Sequence, residues 1–408
     1  MPETATGKNW TRVAFGDVVR LSKERSRDPD AEGFARYVGL EHLEPGDLKI
    51  RSWGDVADGT TFTSVFRPGQ VLFGKRRAYQ RKLAVAEFSG VCSGDIYVFE
   101  PANDQLMPEL LPFVCQTDAF FEHAIGTSAG SLSPRTNWKS LATYEFALPP
   151  LEEQRRIAGV LGLSNTLHNA LHSALVKAQA ALRSDLVTVL DHGPRPLREE
   201  PILPFLWEYV SLSDLIEVRH GYAFDGKYFT DQPTDDPLLL TPGNFSATGD
   251  LRFPPEKKRR FRGEVPNGYW LASGDLVVLM TDLTPTAALL GMPGMVSDDH
   301  GRLLQNQRIG LVKNLAPTRV SDRFLFYSFL GDQLRRLIRA LSAGSTVSHT
   351  SPTQIRSLRI PLPPPHQQET LIERWDRLAA GAGGIRSRLT EGTALASRLR
   401  DGLIGTQL

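Results

Sequence analysis

The sequence predicts a mixed α/β (α+β) chain. It consists of two similar globular units joined by two long antiparallel helices that form a coiled coil, with an internal pseudo-two-fold repeat. Three observations predict this. Phe146 to Leu161 reads FALPPLEEQRRIAGVL, and Ile360 to Trp375 echoes it as IPLPPPHQQETLIERW at an offset of 214. That offset holds without a gap from Ala129-Gly130-Ser131 (against Ala343-Gly344-Ser345) through Thr136/Thr350 to Gln154/Gln368. A duplication of this kind sets the architecture before any local reading does. The second observation is the run from Pro150 to about Leu190, in which a mostly apolar set of positions is spaced alternately by four and three: Ile157, Leu161, Ser164, His168, Leu171, Leu175, Ala178, Leu182, Asp185 and Val189. Adding 214 gives Leu371, Trp375, Leu378, Ala382, Ile385, Leu389, Gly392, Ala396, Leu399 and Leu403. A sustained pattern of this period marks a coiled-coil seam. A helix of about 38 residues spans roughly 57 Å, more than a small domain needs for its own core. The third observation is Trp10 to Val19, WTRVAFGDVV, echoed by Trp207 to Ile216, WEYVSLSDLI, at offset 197, so the second copy carries about 17 extra residues in its interior.

Taken in order, each copy opens on its Trp segment. A turn and a buried strand follow at Gly69 to Phe73 and at Gly274 to Val278. Ile96 to Phe99 and Ile309 to Val312 read as further strands, and Leu110 to Ile125 and Phe324 to Leu341 as helices. The last strand is Tyr144 to Leu148 in one copy and Leu358 to Leu362 in the other, and the Pro-Pro pair then ends it. The predicted organisation is therefore a first unit over 1–151, a first helix over 152–192, a Pro-rich linker over 193–206 (GPRPLREEPILP, Gly193 to Pro204), a second unit over 207–364 and a second helix over 365–408.

Composition narrows the function classes. With 408 residues, 41% hydrophobic and 23% charged, the chain is ordinary for a soluble globular protein. Cys92 and Cys115 form no CxxC pair and suggest a reducing, cytoplasmic compartment. The N-terminus lacks the apolar core of a signal peptide, and no apolar run is long enough to span a membrane. A net charge of +1 means that any nucleic-acid footprint must be local.

The catalytic motifs fail on context. Gly69 to Lys75, GQVLFGK, has the phosphate-loop spacing, but Arg76 stands where Ser or Thr should hold magnesium, and Val-Leu-Phe reads as a strand. Gly126 to Gly130, GTSAG, follows a helix-like segment rather than the strand a nucleophile elbow needs. His168 and His172 share a helix face, but nothing at helical spacing completes a metal set, and His168 lies on the seam. Asp250, Glu256 and Lys258 make too short a pattern for a nuclease. No catalytic or metal-binding residue is predicted.

Local basicity with amides and aromatics remains. Lys75, Arg76, Arg77, Tyr79, Gln80, Arg81 and Lys82 place five cations in eight residues, and Lys257, Lys258, Arg259 and Arg260 form a second run. Arg and Lys neutralise phosphates, while Arg, Gln and Asn read base edges by paired hydrogen bonds. Arg135, Gln307 and Arg308 complete the candidate DNA contacts.

The chain resembles the specificity (S) subunits of type I restriction–modification enzymes. The residues that carry the likeness are Leu148-Pro149-Pro150-Leu151-Glu152-Glu153-Gln154 with Arg155-Arg156-Ile157, their degenerate copy Leu362-Pro363-Pro364-Pro365-His366-Gln367-Gln368, and Gly74-Lys75 through Arg81-Lys82-Leu83-Ala84 with Ser93-Gly94-Asp95-Ile96. The resemblance covers the whole chain in order. It implies that each unit is a target recognition domain reading one half of a split site in double-stranded DNA. It also implies that the helices act as spacer and as dock for two methyltransferase (modification) subunits, and then for restriction/translocase subunits. The seam residues Ile157, Leu161, Leu171, Leu175, Leu182, Leu371, Trp375, Leu378, Ile385, Leu389 and Leu399 would serve there. The chain itself would be non-catalytic, with S-adenosylmethionine, ATP and magnesium belonging to its partners. Two other readings stay open at this point. One is a nuclease or methyltransferase with a site of its own, although no (N/D)PP(Y/F) motif or glycine-rich cofactor loop is present. The other is a two-fold protein-interaction scaffold, which salt-dependent DNA binding would separate from the main reading.

Overall fold

The structure, a computed structural model, describes residues 9–190, 206–232, 234–284, 286–342 and 347–405. The second Ala-Gly-Ser segment (343–345), the Pro-rich stretch up to residue 205 and the first eight residues lie outside the described residues. The chain divides into two compact units, Met1–Ala174 with Ile385–Leu408, and Leu175–Gly384.

In unit 1 the chain forms β1 (Thr11–Ala14), α1 (Phe15–Val18), β2 (Val19–Leu21), β3 (Arg36–Val38), β4 (Gly54–Asp55), β5 (Ser64–Phe66), β6 (Val71–Gly74), β7 (Leu83–Val85), β8 (Gly90–Cys92) and β9 (Ile96–Pro101). Then come α2 (Leu111–Cys115), α3 (Asp118–Gly126), α4 (Trp138–Ala142), β10 (Glu145–Leu148) and the long α5 (Leu151–Leu190). β1 pairs with β10, one sheet runs β2-β9-β6-β7 and another β4-β3-β8-β5. Strand β6, Val-Leu-Phe-Gly, is buried along its whole length, as a strand covered on both faces must be. Around it Phe15, Phe73, Phe99 and Phe120 pack with ring centroids 5.0–5.6 Å apart.

Unit 2 repeats this plan. It contains β11 (Glu208–Ser211), β12 (Ile216–His220), β13 (Phe229–Thr230), β14 (Leu238–Leu240), β15 (Arg260–Phe261), β16 (Trp270–Leu271), β17 (Leu276–Leu279), β18 (Thr281–Asp282), β19 (Pro293–Met295), β20 (Leu303–Gln305) and β21 (Ile309–Asn314). After α6 (Asp322–Leu330) and α7 (Asp332–Leu341) come β22 (Ser348–His349), α8 (Pro352–Arg356), β23 (Arg359–Leu362) and α9 (Pro365–Arg400). The pair β11-β23, the sheet β12-β21-β17-β19 and the run β15-β14-β20-β16 match the three assemblies of unit 1 strand for strand, and β13 is added at one edge.

The duplicated Pro-Pro-x-x-x-Gln element has a physical reason. Gln154 is 1% exposed and turns back over the helix start. Its Nε2 donates to the carbonyls of Pro149 (2.8 Å) and Gln105 (2.7 Å), and its Oε1 accepts the Met107 N–H (2.9 Å). Gln368 makes the same three bonds 214 residues on, to Pro363 (2.9 Å), Arg319 (2.7 Å) and the Ser321 N–H (3.2 Å). One buried amide thus ties the last strand, the first turn of the long helix and the loop before the short helices, and satisfies backbone groups that would otherwise be orphaned.

Two predicted helices are each divided. The segment Leu110 to Ile125 breaks at Gln116-Thr117, where Thr117 turns extended and accepts the Phe120 N–H on its hydroxyl as an N-cap. Phe324 to Leu341 breaks at Gly331, which is extended and ends one helix as it starts the next. A β-carbon on Gly331 would meet the Leu190 side chain at 3.2 Å.

The long helices pair antiparallel in each unit. In unit 1, Ile157 and Leu161 share a core with Leu403 and Ile404, and further along α5 His168 Nδ1 lies 3.3 Å from Thr393 Oγ1. In unit 2, the Trp375 indole N–H donates to Asp185 Oδ2 (2.8 Å) and Arg374 pairs with the same carboxylate. Ile157, Leu161 and Trp375 are fully buried, while Leu171, Leu175, Leu182, Leu371, Leu378, Ile385 and Leu389 are half-buried. Leu399 departs from the expected seam and is 40% exposed. Ala396 and Arg400 face α5 in its place.

Candidate nucleic-acid interface

In unit 1 the site is built where β6 ends. The Lys75 N–H donates to the Asp95 carbonyl (2.9 Å), the Thr136 N–H to the Lys75 carbonyl (3.0 Å), and the Arg77 N–H to the Pro134 carbonyl (2.7 Å). These bonds set Arg76 opposite Arg135 in a local bridge, with the Asp95 carboxylate between them. Arg135 reaches Asp95 through Nε (2.8 Å) and Nη2 (3.4 Å). Arg76 reaches it through Nη1 (3.4 Å) and gives Nε to Ser133 Oγ (2.6 Å). The Arg135 hydrogen bond holds the Asp95 carboxyl below its ordinary pKa, against the opposing effect of burial. Lys75 lies 4.6 Å above the Tyr97 ring; burial lowers its pKa, and Arg135 and Arg25 add to the effect while Asp95 opposes it. Arg77 and Arg81 adopt left-handed backbone, φ 55° and 53°. Such geometry in non-glycine residues costs of order 1–3 kcal/mol each and clusters at functional sites. The buried Nε of Arg77 has no hydrogen-bond partner among the described residues.

The first basic run is therefore divided. Lys75, Arg76 and Arg77 gather with Arg135 about one acid. Arg81 instead pairs with Asp118 and lies 4.7 Å over the Phe121 ring, and Lys82 Nζ donates to the Leu40 carbonyl (2.6 Å). Tyr79 stands 54% exposed at the tip, beside half-buried Gln80.

Unit 2 builds the same frame from other side chains. The Met280 N–H donates to the Arg308 carbonyl (2.9 Å) and the Thr350 N–H to the Met280 carbonyl (3.0 Å), which repeats two of the bonds of unit 1. Met280 thus occupies the place of Lys75, and Arg308 that of Asp95. β18 and β22 set Thr281 opposite His349, where unit 1 has Arg76 and Arg135; Thr281 Oγ1 lies 2.9 Å from His349 Nδ1. Beside this frame lies an open groove of about 490 Å³, lined by Lys257, Lys258, Arg259, Asn306, Gln307 and Arg308 together with Asp231 and Glu256. Five of the residues singled out from sequence thus converge on one concave surface. Arg259 lies 3.7 Å from Asp231 and over the Phe229 ring. Arg260 departs from the group: it belongs to β15 and its Nη1 donates to the Asp236 carbonyl.

The second basic run is not the structural counterpart of the first. It leads into β15, which pairs with β14 as β4 pairs with β3, so its counterpart in unit 1 is the segment before Gly54. There Trp53 is 42% exposed beneath the Arg36 guanidinium, 4.2 Å from the ring centroid. Sequence reading placed none of Asp95, Ser133, Asn306 and His349 among the contacts, although Ser93-Gly94-Asp95-Ile96 carries part of the family likeness. Their roles come from strand pairing.

The other motifs are structural. Val71 to Gly74 of the phosphate-loop spacing is strand β6, and the Ser128 hydroxyl of the elbow spacing donates to the Ala124 carbonyl (2.7 Å). Burial lowers the pKa of both His168 and His172. Among the described residues no group of three or more His, Cys, Asp or Glu could hold a metal ion, and no helix is long and apolar enough to cross a membrane.

Comparison with known proteins adds the following. Residues 7–175 match the family model of the type I restriction modification DNA specificity domain. The MjaVIII type I restriction enzyme specificity subunit of Methanocaldococcus jannaschii is 21% identical over 386 residues, covering 90% of this chain and 85% of that protein. The EcoDI specificity subunit of Escherichia coli is 27% identical over 191 residues, 44% of this chain, and this match spans only 40% of that protein. Two solved structures share the fold over nearly the whole chain. The type I restriction–modification S subunit from M. genitalium covers 98% of this chain and 97% of its own, with TM-score 0.55 and 12% identity. A structure described as explaining complex assembly and conformational transition of the type I system covers 97% of each chain, with TM-score 0.53 and 18% identity.

Proposed function

We propose that this chain, which carries a type I restriction modification DNA specificity domain in its first unit, is the DNA-recognition subunit of a type I restriction–modification complex. Residues 1–151 and 207–364 are the two target recognition domains, each reading one half of a bipartite site in double-stranded DNA. Residues 152–192 and 365–408 are the helices that dock two methyltransferase subunits, and through them the restriction/translocase subunits; 193–206 is the linker. The chain selects the sequence and does no chemistry. S-adenosylmethionine, ATP and magnesium act in the partner subunits, in the cytoplasm.

The observation that carries this reading is the pairing of a constant frame with divergent faces. Strand order, the buried glutamine bracket and the loop hydrogen bonds recur in both units. The side chains they present do not. A chain that must read two different half-sites from one scaffold requires that combination. In unit 1 the contact residues are Lys75, Arg76, Arg77, Tyr79, Gln80 and Arg135. In unit 2 they are Lys257, Lys258, Arg259, Gln307 and Arg308. Arg81, Lys82 and Arg260 support their loops from behind.

The test is to purify the chain with its modification partners, sequence the methylated sites and measure DNA affinity against salt. A bipartite methylated motif and an affinity that falls steeply with salt are expected. Methylation without a split motif, or DNA affinity indifferent to salt, overturns the reading.

A further inference from the structure

We propose that one position in each unit, Asp95 in the first and Arg308 in the second, decides which bases its half of the DNA site accepts. The inference rests on the reading of each unit as a half-site reader. Asp95 and Arg308 hold the same place. Each stands immediately before the central antiparallel strand, β9 or β21, and each gives its carbonyl to the residue that follows the buried strand β6 or β17. Everything beneath this position is preserved: both buried strands pair with the same neighbours in the same order. The side chain on top reverses its charge.

That reversal changes what the surface can do. A carboxylate facing DNA repels phosphate, so Asp95 acts through the groups it holds. It takes Nε and Nη2 of Arg135 and Nη1 of Arg76. A guanidinium has five N–H donors in a fixed fork, so bracing one edge orients the remaining donors. Two braced forks side by side suit the O6 and N7 acceptors of guanine in the major groove. Asp95 is thus a positioning residue, with Arg76 and Arg135 as the readers.

In unit 2 no acid stands at the hub. Arg308 itself lines the groove, next to Gln307 and Asn306. The pair opposite is Thr281 with His349; the threonine is buried and bonded to the imidazole, so only the exposed imidazole stands where unit 1 presents two guanidiniums. One arginine with neighbouring amides matches a mixed pattern, guanine by Arg308 and adenine by the amide of Gln307. The first half-site accordingly depends on a G·C pair read through Asp95, and the second on a G·C pair read directly by Arg308.

The experiment uses the full chain co-expressed with its modification partners, with methylated sites identified by sequencing. The variants are Asp95→Asn, Arg135→Lys and Arg308→Gln. Asp95→Asn and Arg135→Lys are each expected to lower discrimination about tenfold or more at a G·C position of one half-site, and to leave the other half unchanged. Arg308→Gln is expected to relax a G·C position in the opposite half only. The untouched half of the motif reports, within the same molecule, that the chain has folded and assembled. If Asp95→Asn abolishes all methylation through misfolding, Arg135→Lys still decides, because it keeps the charge beside Asp95 and removes only the fork. Full specificity in Arg135→Lys, relaxation at an A·T position, or relaxation of both halves by any one variant overturns the proposal. A wild-type complex that yields no bipartite motif overturns the half-site reading instead.

Discussion

Replacing Gln154 by leucine removes a side chain on which three backbone groups depend. The Met107 N–H and the carbonyls of Gln105 and Pro149 all bond this amide, in a position only 1% exposed. Each buried polar group left without a partner costs about 1–3 kcal/mol, so three give about 3–9 kcal/mol. Leucine fills a similar volume and recovers up to about 2 kcal/mol by apolar burial, and partial relaxation lets water reach one carbonyl. The expected net loss is about 2–5 kcal/mol, a large share of the 5–15 kcal/mol that a domain typically has. A single melting curve is a poor gauge in a chain of two units, because its transition need not be two-state. Hydrogen exchange resolves the effect locally. Amides in 105–111 and 149–157 should exchange roughly 30- to 4,000-fold faster in Gln154→Leu, at a factor of ten per 1.4 kcal/mol. Amides in 319–325 and 363–371, held by Gln368 in unit 2, should not change. Gln368→Leu should give the mirror result. A change below threefold, or acceleration spread evenly over both units, would refute the account of the glutamine as a bracket.

Three further outcomes follow from the geometry. The double variant Arg76→Ala/Arg135→Ala, which removes two guanidiniums that share the single Asp95 carboxylate, should lower the slope of log affinity against log salt by about one, whereas Arg81→Ala, whose guanidinium is already paired with Asp118, should change it little; equal slopes for all three proteins would count against the assignment. Ile157→Ala, at a fully buried seam position, should cost about 2–5 kcal/mol, while Leu399→Ala should stay within about 1 kcal/mol, as followed by hydrogen exchange of unit 1. Asp95 is held below its ordinary pKa of 3.8 by the Arg135 hydrogen bond, so its contribution to stability is complete above the unfolded-state value and is lost as pH falls through the lower folded value. An NMR titration should place its midpoint below 3.8 and show it rising toward 3.8 in Arg135→Ala; no upward movement would remove the arginine as the cause.

What was legible in the sequence is what packing repeats. The Pro-Pro-x-x-x-Gln bracket, the heptads and the Trp openings survive because each satisfies a demand that both units share: a buried amide for orphaned carbonyls, a seam against a second helix, a first strand against the last. The breaks at Thr117 and Gly331 were hidden, because an apolar period passes through an N-cap without losing phase. The 17 extra residues of unit 2 also look like one block from sequence, yet strand register distributes them. The offset is 197 at β2/β12, 205 at β6/β17, 213 at β8/β20 and β9/β21, and 214 from Gln105/Arg319 onward. Eight residues enter between β2 and β6, eight between β6 and β8, and one after β9.

The middle insertion explains why the candidate site was only half readable. Five of its eight residues fall in the segment that holds Lys75 to Lys82 in unit 1, where the offset rises from 205 at β6/β17 to 210 at β7/β19, so no alignment by composition could find a basic counterpart in unit 2. Charge density was the only available signal, and it pointed to the Lys257 run, which belongs to a different strand pair. The equivalence of Asp95 with Arg308 is invisible at that level, because it is defined by one backbone carbonyl and its donor, and the side chains oppose each other in charge. A scaffold under pressure to keep its hydrogen bonds and free to change its outward groups will hide its specificity in this way. The backbone bond holds the position, the side chain there is unconstrained by packing, and neither composition nor period records it. Specificity in such a fold therefore has to be read from register first and chemistry second.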